Sequence, residues 1–373
     1  MRHYIKLGCG VLATIPLLIV LHVIRKYAED SYPAECECNG ENFCFPGVDE
    51  NLRRKFGRPF PCDHYRYLKR FDLTEAESRT APNAIEEINE DWQPVFVSGC
   101  SEDHFREMVG LVKNIRQRIQ NPRIIVYDLG LNSTQIEEVK SWCNVEYRFF
   151  VFEQYPEHFR NLRNYAFKAI IAEVLQTEKN FFYYDSSVRL KNDAHKIIPE
   201  AVKAGRSPPF MNYNAAPHSV YAVTQEGMYD YLPLPHQIVL AKEYQSLLFV
   251  SDSPFTRRAI KWFMLCALTE DCISPPAASP YCYLSSTTDW INNRLGENCH
   301  RFDQNVWNFI HLSYLFDPIR RGAQALELVD EWGSGPDFVK KVKKARDRRF
   351  IRLGKTFSVI RCDFGNDSFS LTC

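Results

Sequence analysis

Two short stretches hold most of the side chains that could do chemistry. "FFYYDSSVRL", residues 181–190, runs four aromatics into one carboxylate, Asp185, followed by two serines, a valine and Arg189. "CHRFDQNVWN", residues 299–308, places His300, Arg301, Asp303, Gln304 and Asn305 within six positions. An acid at the end of an apolar run either caps a turn or delivers a carboxylate to a crevice, and the local pattern alone leaves both open. Asp303 alone would serve as an ordinary helix N-cap. Five neighbouring side chains able to bind phosphate, metal or hydroxyl favour a binding site.

Such residues need elements to position them. "PVFVSGC" is an apolar run that predicts a buried strand. "SEDHFREMVGLVKNIRQRIQ" opens with a serine and acids, a helix start, and repeats Phe105, Met108, Val109, Val112, Ile115 and Ile119 at helical spacing. "RIIVYDLGL", "VEYRFFVF" and "NFFYYDSSV" read as further strands, and "STQIEEVKSW" and "NLRNYAFKAIIAEVLQ" as the helices between them. Repeated strand–helix alternation with short connections predicts an α/β fold, a mostly parallel sheet with helices on both faces. In an open parallel sheet, ligands bind outside the carboxyl ends of the strands. Asp185 stands at one such end, Asp128 at another, and Ser98-Gly99 at the first. Further along, "SLLFVSD" predicts a strand and "SPFTRRAIKWFMLCALTEDC" a helix capped by Ser253 with Pro254 in its first position. "MYDYLPLPHQIVLAKEYQ" is rich in Tyr and Pro, which suits either an acceptor loop or a merely stiff one, the latter favoured.

The whole chain bounds its setting. Its 373 residues carry 46 basic and 46 acidic side chains, a formal net charge of zero. That argues against nucleic acid as a partner, because phosphate binding shows as a basic excess. Leu7 to Ile24 is free of charged side chains, near the lower length for crossing a bilayer, and no A-x-A cleavage site follows. The reading is a cytosolic tail at 1–6, a single-pass signal-anchor at 7–26, a luminal stem at 27–93 and a catalytic body at 94–373. Twelve of thirteen cysteines lie after the anchor, an even number suited to a disulfide framework, as do two sequons at Asn132 and Asn366. This predicts a type II protein of the Golgi membrane, with the endoplasmic reticulum as the alternative. Cys36, Cys38, Cys44 and Cys62 are expected to staple the stem, their spacing being poor for zinc. Cys266 with Cys272, and Cys282 with Cys299, are plausible local pairs.

The series of strands and helices, then "YYDSSVRL", "KWFMLCALTEDCISPP" and "CHRFDQNVWN", resembles a family of uncharacterised type II glycosyltransferase-like animal proteins. That family belongs to the nucleotide-diphospho-sugar transferase superfamily, with the GT-A fold, and the resemblance covers roughly residues 94 to 320. It implies transfer of a sugar from a nucleotide sugar, expected to be UDP-linked, to a glycan or glycoprotein hydroxyl. "NLRNYAFKAIIAEVLQTEKNFFYYDSSVRL" is similar to the helix and strand that lead into the D-x-D motif, which implies a donor role for Arg163 and Lys168. "HRFDQNVWN" is similar to a D-Q-x-x-x-N helix closing the donor site, which implies the same for Asp303 and Gln304, with Asp303 a base or a sugar contact. The chain departs from the motif at Ser187, where a second acid would stand. One carboxylate and a hydroxyl make a weakened site for Mn²⁺ or Mg²⁺. His300 is a candidate further ligand, and Arg189, Arg163 or Lys168 could neutralise part of the diphosphate charge. The missing acid also suits a catalytically degenerate luminal sugar-binding protein, the alternative function. A hydrolase is disfavoured, since no G-x-S-x-G occurs.

Overall fold

The computed structural model describes residues 32–51, 53–190, 193–204, 209–282, 289–316 and 357–359. Its main sheet has six strands: β1 (Val95–Cys100), β2 (Arg123–Asp128), β3 (Val145–Phe149), β4 (Asn180–Tyr183), β5 (Phe210–Ser219) and β6 (Lys242–Ser251). Their order across the sheet is β5-β6-β4-β1-β2-β3. β4, β1, β2 and β3 pair in parallel, as the alternation predicts. β6 runs antiparallel to β4, and β5 antiparallel to β6, so the sheet is mixed at one side. Successive strands step outward from β1 to β3, and the chain then returns to the other side of β1 with β4. The direction of winding therefore reverses between β1 and β4, the place where open α/β sheets leave a crevice.

The apolar runs are continuous because both faces of the sheet are covered. Phe181 and Tyr183 of β4 enter one core, with Val95, Val97, Ile125 and Tyr127. Phe182 and Tyr184 enter the other, with Phe96, Ile124 and Val126. The helices α1 (Phe105–Arg118), α2 (Ser133–Lys140) and α3 (Ile170–Leu175) follow β1, β2 and β3 in turn. After β4 come α4 (Ala194–Lys203), α5 (Pro254–Leu268) and α6 (Phe302–Phe316). α5 starts as expected, its cap Ser253 accepting a hydrogen bond from Thr256 N, with Pro254 in the first turn.

Two expectations need correction. The expected stem is stapled as anticipated, but its residues 36–73 also pack into the body. Phe43, Phe45, Phe60, Tyr67 and Phe71 lie in the same core as α5 and α6, and Phe45 meets Trp262 edge to face at 5.4 Å. Buried Glu41 pairs with buried Lys261 of α5 at 2.6 Å. Residues 36–73 thus share a core with the elements after residue 94. These apolar residues are spread among Pro and Gly turns without period, so no periodic signal marks them as core. Later in the same expected stem, Ile85 and Ile88 lie in the second core. The long helix expected over 161–176 is the second correction. Short 3₁₀ turns span Leu162–Asn164 and Ala166–Ala169, and the α-helix begins only at Ile170. Asn161 Oδ1 accepts from Arg163 N, Asn164 Oδ1 accepts from Ala166 N, and Asn164 Nδ2 donates to His158 O. These side chains compete with the helical ladder, and Tyr165 between them sits at φ 59° in the left-handed region.

Disulfides join Cys36–Cys44, Cys38–Cys62, Cys266–Cys272 and Cys282–Cys299, the last two as expected. Cys143 is also disulfide-bonded, whereas Cys100 at the end of β1 is a free buried thiol. The even count of cysteines was therefore no sign of complete pairing. The expected membrane anchor at 7–26 and the sequon at Asn366 lie outside the described residues. No helix among the described residues is long and apolar enough to cross a membrane. The Tyr- and Pro-rich loop buries Leu232, Leu234, Ile238 and Val239, which makes it a packing element.

Candidate functional site

The chain leaves β4 through Tyr184 and reaches Asp185 at the carboxyl end of the strand, beside the reversal point. Val188–Leu190 then forms a short strand that pairs antiparallel with Phe357–Val359. Lys168, on the 3₁₀ turn before α3, points into the space beneath Asp185. Its Nζ lies 2.9 Å from Asp185 Oδ1 and 2.7 Å from Asp303 Oδ2, so one ammonium ties the end of β4 to the start of α6. The Lys168 side chain is 1% exposed and that of Asp303 5%, while that of Asp185 is 37% exposed. Asp185 is therefore the member of the trio that an incoming ligand meets.

The rings of Tyr165 and Tyr183 close around the ammonium, with Nζ 5.3 Å and 5.6 Å from their centroids. Burial is the largest single influence on the Lys168 ammonium and lowers its pKa. The carboxylates of Asp185 and Asp303 together outweigh it, so the net shift is upward and the group is held protonated. Burial first, then the Asp303 carboxylate, raises the pKa of Tyr165. Two aromatic residues here have an unusual backbone. Tyr165 and Phe302 both adopt positive φ, 59° and 39°, and their rings are 5.9 Å apart. Non-glycine residues in such conformations persist where the surroundings over-determine them, commonly at functional sites.

The structure brings Asp185, Lys168 and Asp303 into one cluster, with Gln304 half-buried in the first turn of α6. Arg163 is exposed near the bend at Tyr165, and its guanidinium makes no ion pair among the described residues. Ser187 is half-buried two residues after Asp185. Three expected site residues serve other purposes. Arg189 is buried and donates to the carbonyls of Ser186, Val188 and Glu107, which fastens the strand after Asp185 onto α1. Asp128 is buried and accepts from Gly130 N, Leu131 N and the Tyr147 hydroxyl, closing the turn that follows β2. His300 is fully buried. Its Nδ1 accepts from Gln225 N at 3.1 Å, and its Nε2 lies 3.2 Å from Ile273 O. Desolvation pushes its pKa down to about 3, so the ring is neutral and its nitrogens are committed to backbone.

The residues present therefore do not compose the expected Mn²⁺ or Mg²⁺ site. His300 is engaged, position 187 offers only a hydroxyl, and an ammonium already bridges the two carboxylates. No group of three or more His, Cys, Asp or Glu able to hold a metal occurs among the described residues. Arg301 takes on a role that its string alone does not assign. Arg301 is half-buried, and its Nε is buried without a hydrogen-bond partner. It acts electrostatically on Tyr165, as do Asp303, Lys168 and Asp185. A guanidinium with an unsatisfied buried donor beside a crevice is suited to an anion. The string "CHRFDQN" displayed it, but spacing could not tell which of five polar side chains lacked a partner.

Asn132 of the first sequon is exposed and caps α2, its Oδ1 accepting from Gln135 N and its Nδ2 donating to Glu102. A family model described as protein of unknown function (DUF1647) matches residues 35–173, a span that crosses residue 93. No curated protein matches. Among solved structures, the galactosyltransferase LgtC in complex with donor and acceptor sugar analogues is similar at 10% identity and a TM-score of 0.33, over 58% of this chain and 70% of that one. TarS of S. aureus is similar at 10% identity and a TM-score of 0.26, over 71% of this chain and 90% of that one. The glycosyltransferase GlyE of Streptococcus pneumoniae is similar at 8% identity and a TM-score of 0.25, and the match spans 46% of this chain and 35% of the GlyE chain.

Proposed function

We propose that this chain is a glycosyltransferase of GT-A type that takes a nucleotide sugar, UDP-linked, and transfers its sugar to a glycan or glycoprotein hydroxyl. The carrying observation is Asp185 at the carboxyl end of β4, beside the reversal point of the sheet and joined through Lys168 to Asp303. In this reading Asp185 accepts hydrogen bonds from donor hydroxyls, and Gln304 and Ser187 line the same crevice. Arg301 and Arg163 face the diphosphate. As the bond between the anomeric carbon and the phosphate oxygen breaks, the diphosphate leaves with the bonding electrons. The acceptor hydroxyl oxygen bonds to the anomeric carbon, and its proton passes to a carboxylate or to water. Cations placed where that leaving charge grows stabilise the transition state.

We place the body in the secretory lumen, held to the Golgi membrane by the segment at 7–26. The disulfides support an oxidising compartment. Glycosidase treatment of the membrane-bound protein should lower its mass through Asn132 or Asn366. Digestion of the body by protease outside intact vesicles would overturn the placement.

The functional test is a panel of nucleotide sugars followed by thermal shift, then transfer assays with the donors that bind. A ligand at one hundred times its Kd raises stability by about 2.7 kcal/mol. Asp185→Ala should remove the shift, and Arg301→Ala should weaken donor binding by about tenfold or more, as loss of a charge-assisted contact does. A panel without any binder would sink the reading. A second reading keeps the site and drops the turnover. Asp303 is buried and committed to Lys168 and position 187 lacks an acid, which suits a luminal protein that binds sugar nucleotides without reaction. Binding without hydrolysis or transfer would select it.

A further inference from the structure

We propose that Lys168 is the permanent cation of this site, occupying by its ammonium the position between two carboxylates that a divalent ion would otherwise take, so that nucleotide diphosphate binding proceeds without metal. The nucleotide arm of this inference rests on the donor-binding reading above; the metal arm does not.

The geometry gives three independent supports. The ammonium stands within 2.9 Å of Asp185 and 2.7 Å of Asp303, so both acids contact the same positive charge. A divalent ion approaching them would have to displace that charge or sit against it, with twice the repulsion of a unit pair. Second, the cation is sealed in. Its side chain is 1% exposed, with the Tyr165 and Tyr183 rings over it. A buried ammonium between two carboxylates and two aromatic faces is a fixed component, unlike the mobile lysines that reach for phosphate from a surface. Third, the chain is bent to put it there. Tyr165 at φ 59° ends one 3₁₀ turn and starts the next, and the second turn carries Lys168 inward. A regular helix through 161–176 would lack that bend.

Electrostatic bookkeeping agrees. Asp185, Asp303 and Lys168 sum to one negative charge, which leaves the diphosphate to Arg301 and Arg163. A single uncompensated carboxylate is a weak attractor for Mn²⁺, since affinity falls with fewer charged oxygen ligands.

The test is a Mn²⁺ titration of the full chain followed by the free-ion electron paramagnetic resonance signal. It is repeated on Lys168→Ala, Lys168→Met and the Lys168→Ala/Asp185→Asn double variant. The expected result is no saturable Asp185-dependent binding in the wild type at millimolar Mn²⁺. Lys168→Ala should gain a site at least about tenfold tighter, because two carboxylates then face each other unpaired, and the double variant should lose it. A wild-type site that Asp185→Asn removes would overturn the inference, as would a folded Lys168→Ala that gains none. Should both Lys168 variants fail to fold, the wild type and Asp185→Asn still decide. In parallel, UDP is titrated calorimetrically in chelator and in Mn²⁺. Affinities within about twofold support the inference, and binding only with Mn²⁺ overturns it while leaving the donor reading intact. UDP that binds in neither buffer counts against the donor reading, and the Mn²⁺ titration alone then decides the role of Lys168.

Discussion

Asp185 and Asp303 carry the same functional group in opposite settings, and their substitutions should separate accordingly. Asp303→Asn leaves the buried ammonium short of one charge partner, a change that costs about 3–5 kcal/mol when a buried pair is broken. Asp185 is more than a third exposed, so water screens its share of the pairing, and Asp185→Asn should cost about 1 kcal/mol or less. Donor binding should order them the other way, with Asp185 the more sensitive. Denaturant midpoints and calorimetry on the same two variants check both orders. The histidine beside them sets an acid limit. The pKa of His300 falls from 6.5 to about 3 on folding, so the unfolded chain takes up a proton below pH 6.5 that the folded one refuses. Its contribution is whole above pH 6.5 and drains as pH falls towards 3, by about 2 kcal/mol at pH 5. His300→Gln should remove about one proton from the pH dependence of unfolding between pH 6.5 and 5. Lys168 acts at the other extreme. Its folded pKa lies above 10.5, so its stabilisation is complete below that pH and is lost only as pH rises through the folded value. Asp185 and Asp303 were legible in the sequence because each stands in a dense local string. Their bridge was not, since Lys168 lies 135 residues from Asp303 and no spacing rule joins them. Arg189 reads as a free cation in "DSSVR", yet three carbonyls claim its guanidinium.

At the scale of elements, Gly110 shows a helix giving up propensity for a contact. It lies inside α1, where glycine costs about 1 kcal/mol relative to alanine. A Cβ added there would fall 2.0 Å from Arg189 Nη2. Gly110→Ala should therefore destabilise by displacing a buried guanidinium from its carbonyls, even though it favours the helix. With Arg189→Ala already present, the same change should become neutral or stabilising by up to about 1 kcal/mol. A double-mutant cycle in denaturant reads that reversal of sign directly. Parallel strands and amphipathic helices were legible because burial on two faces writes continuous apolar runs and a helical period. The break before α3 was not, because Asn161 and Asn164 make it by bonding to backbone, and the same letters read equally well as a helix.

At the scale of the molecule, the segment before residue 94 is built into the body by contacts that local pattern does not reveal. Hypothetical side chains on Gly47 and Gly57 would strike the carbonyl oxygens of Pro233 and Tyr231 at 1.8 Å and 2.0 Å. Glu41→Gln should cost about 3–5 kcal/mol, since it leaves Lys261 buried without its charge partner. Glu41→Leu with Lys261→Met should recover most of that, because a buried ion pair is often replaceable by apolar side chains of similar volume. Denaturant midpoints of the two variants make the comparison. The same docking sets a timetable. The Ser313 hydroxyl donates to Pro46 O across 267 residues of chain. At about 5–20 residues per second, the ribosome needs on the order of tens of seconds to bring the second partner out after the first. Through that interval Phe43, Phe45 and Phe60 have no finished core to enter, and only local links restrain them, the Cys36–Cys44 and Cys38–Cys62 bridges and the short strand pairs between them. The newborn chain therefore carries an aromatic patch at residues 43–60, open to chaperones until α6 closes over it.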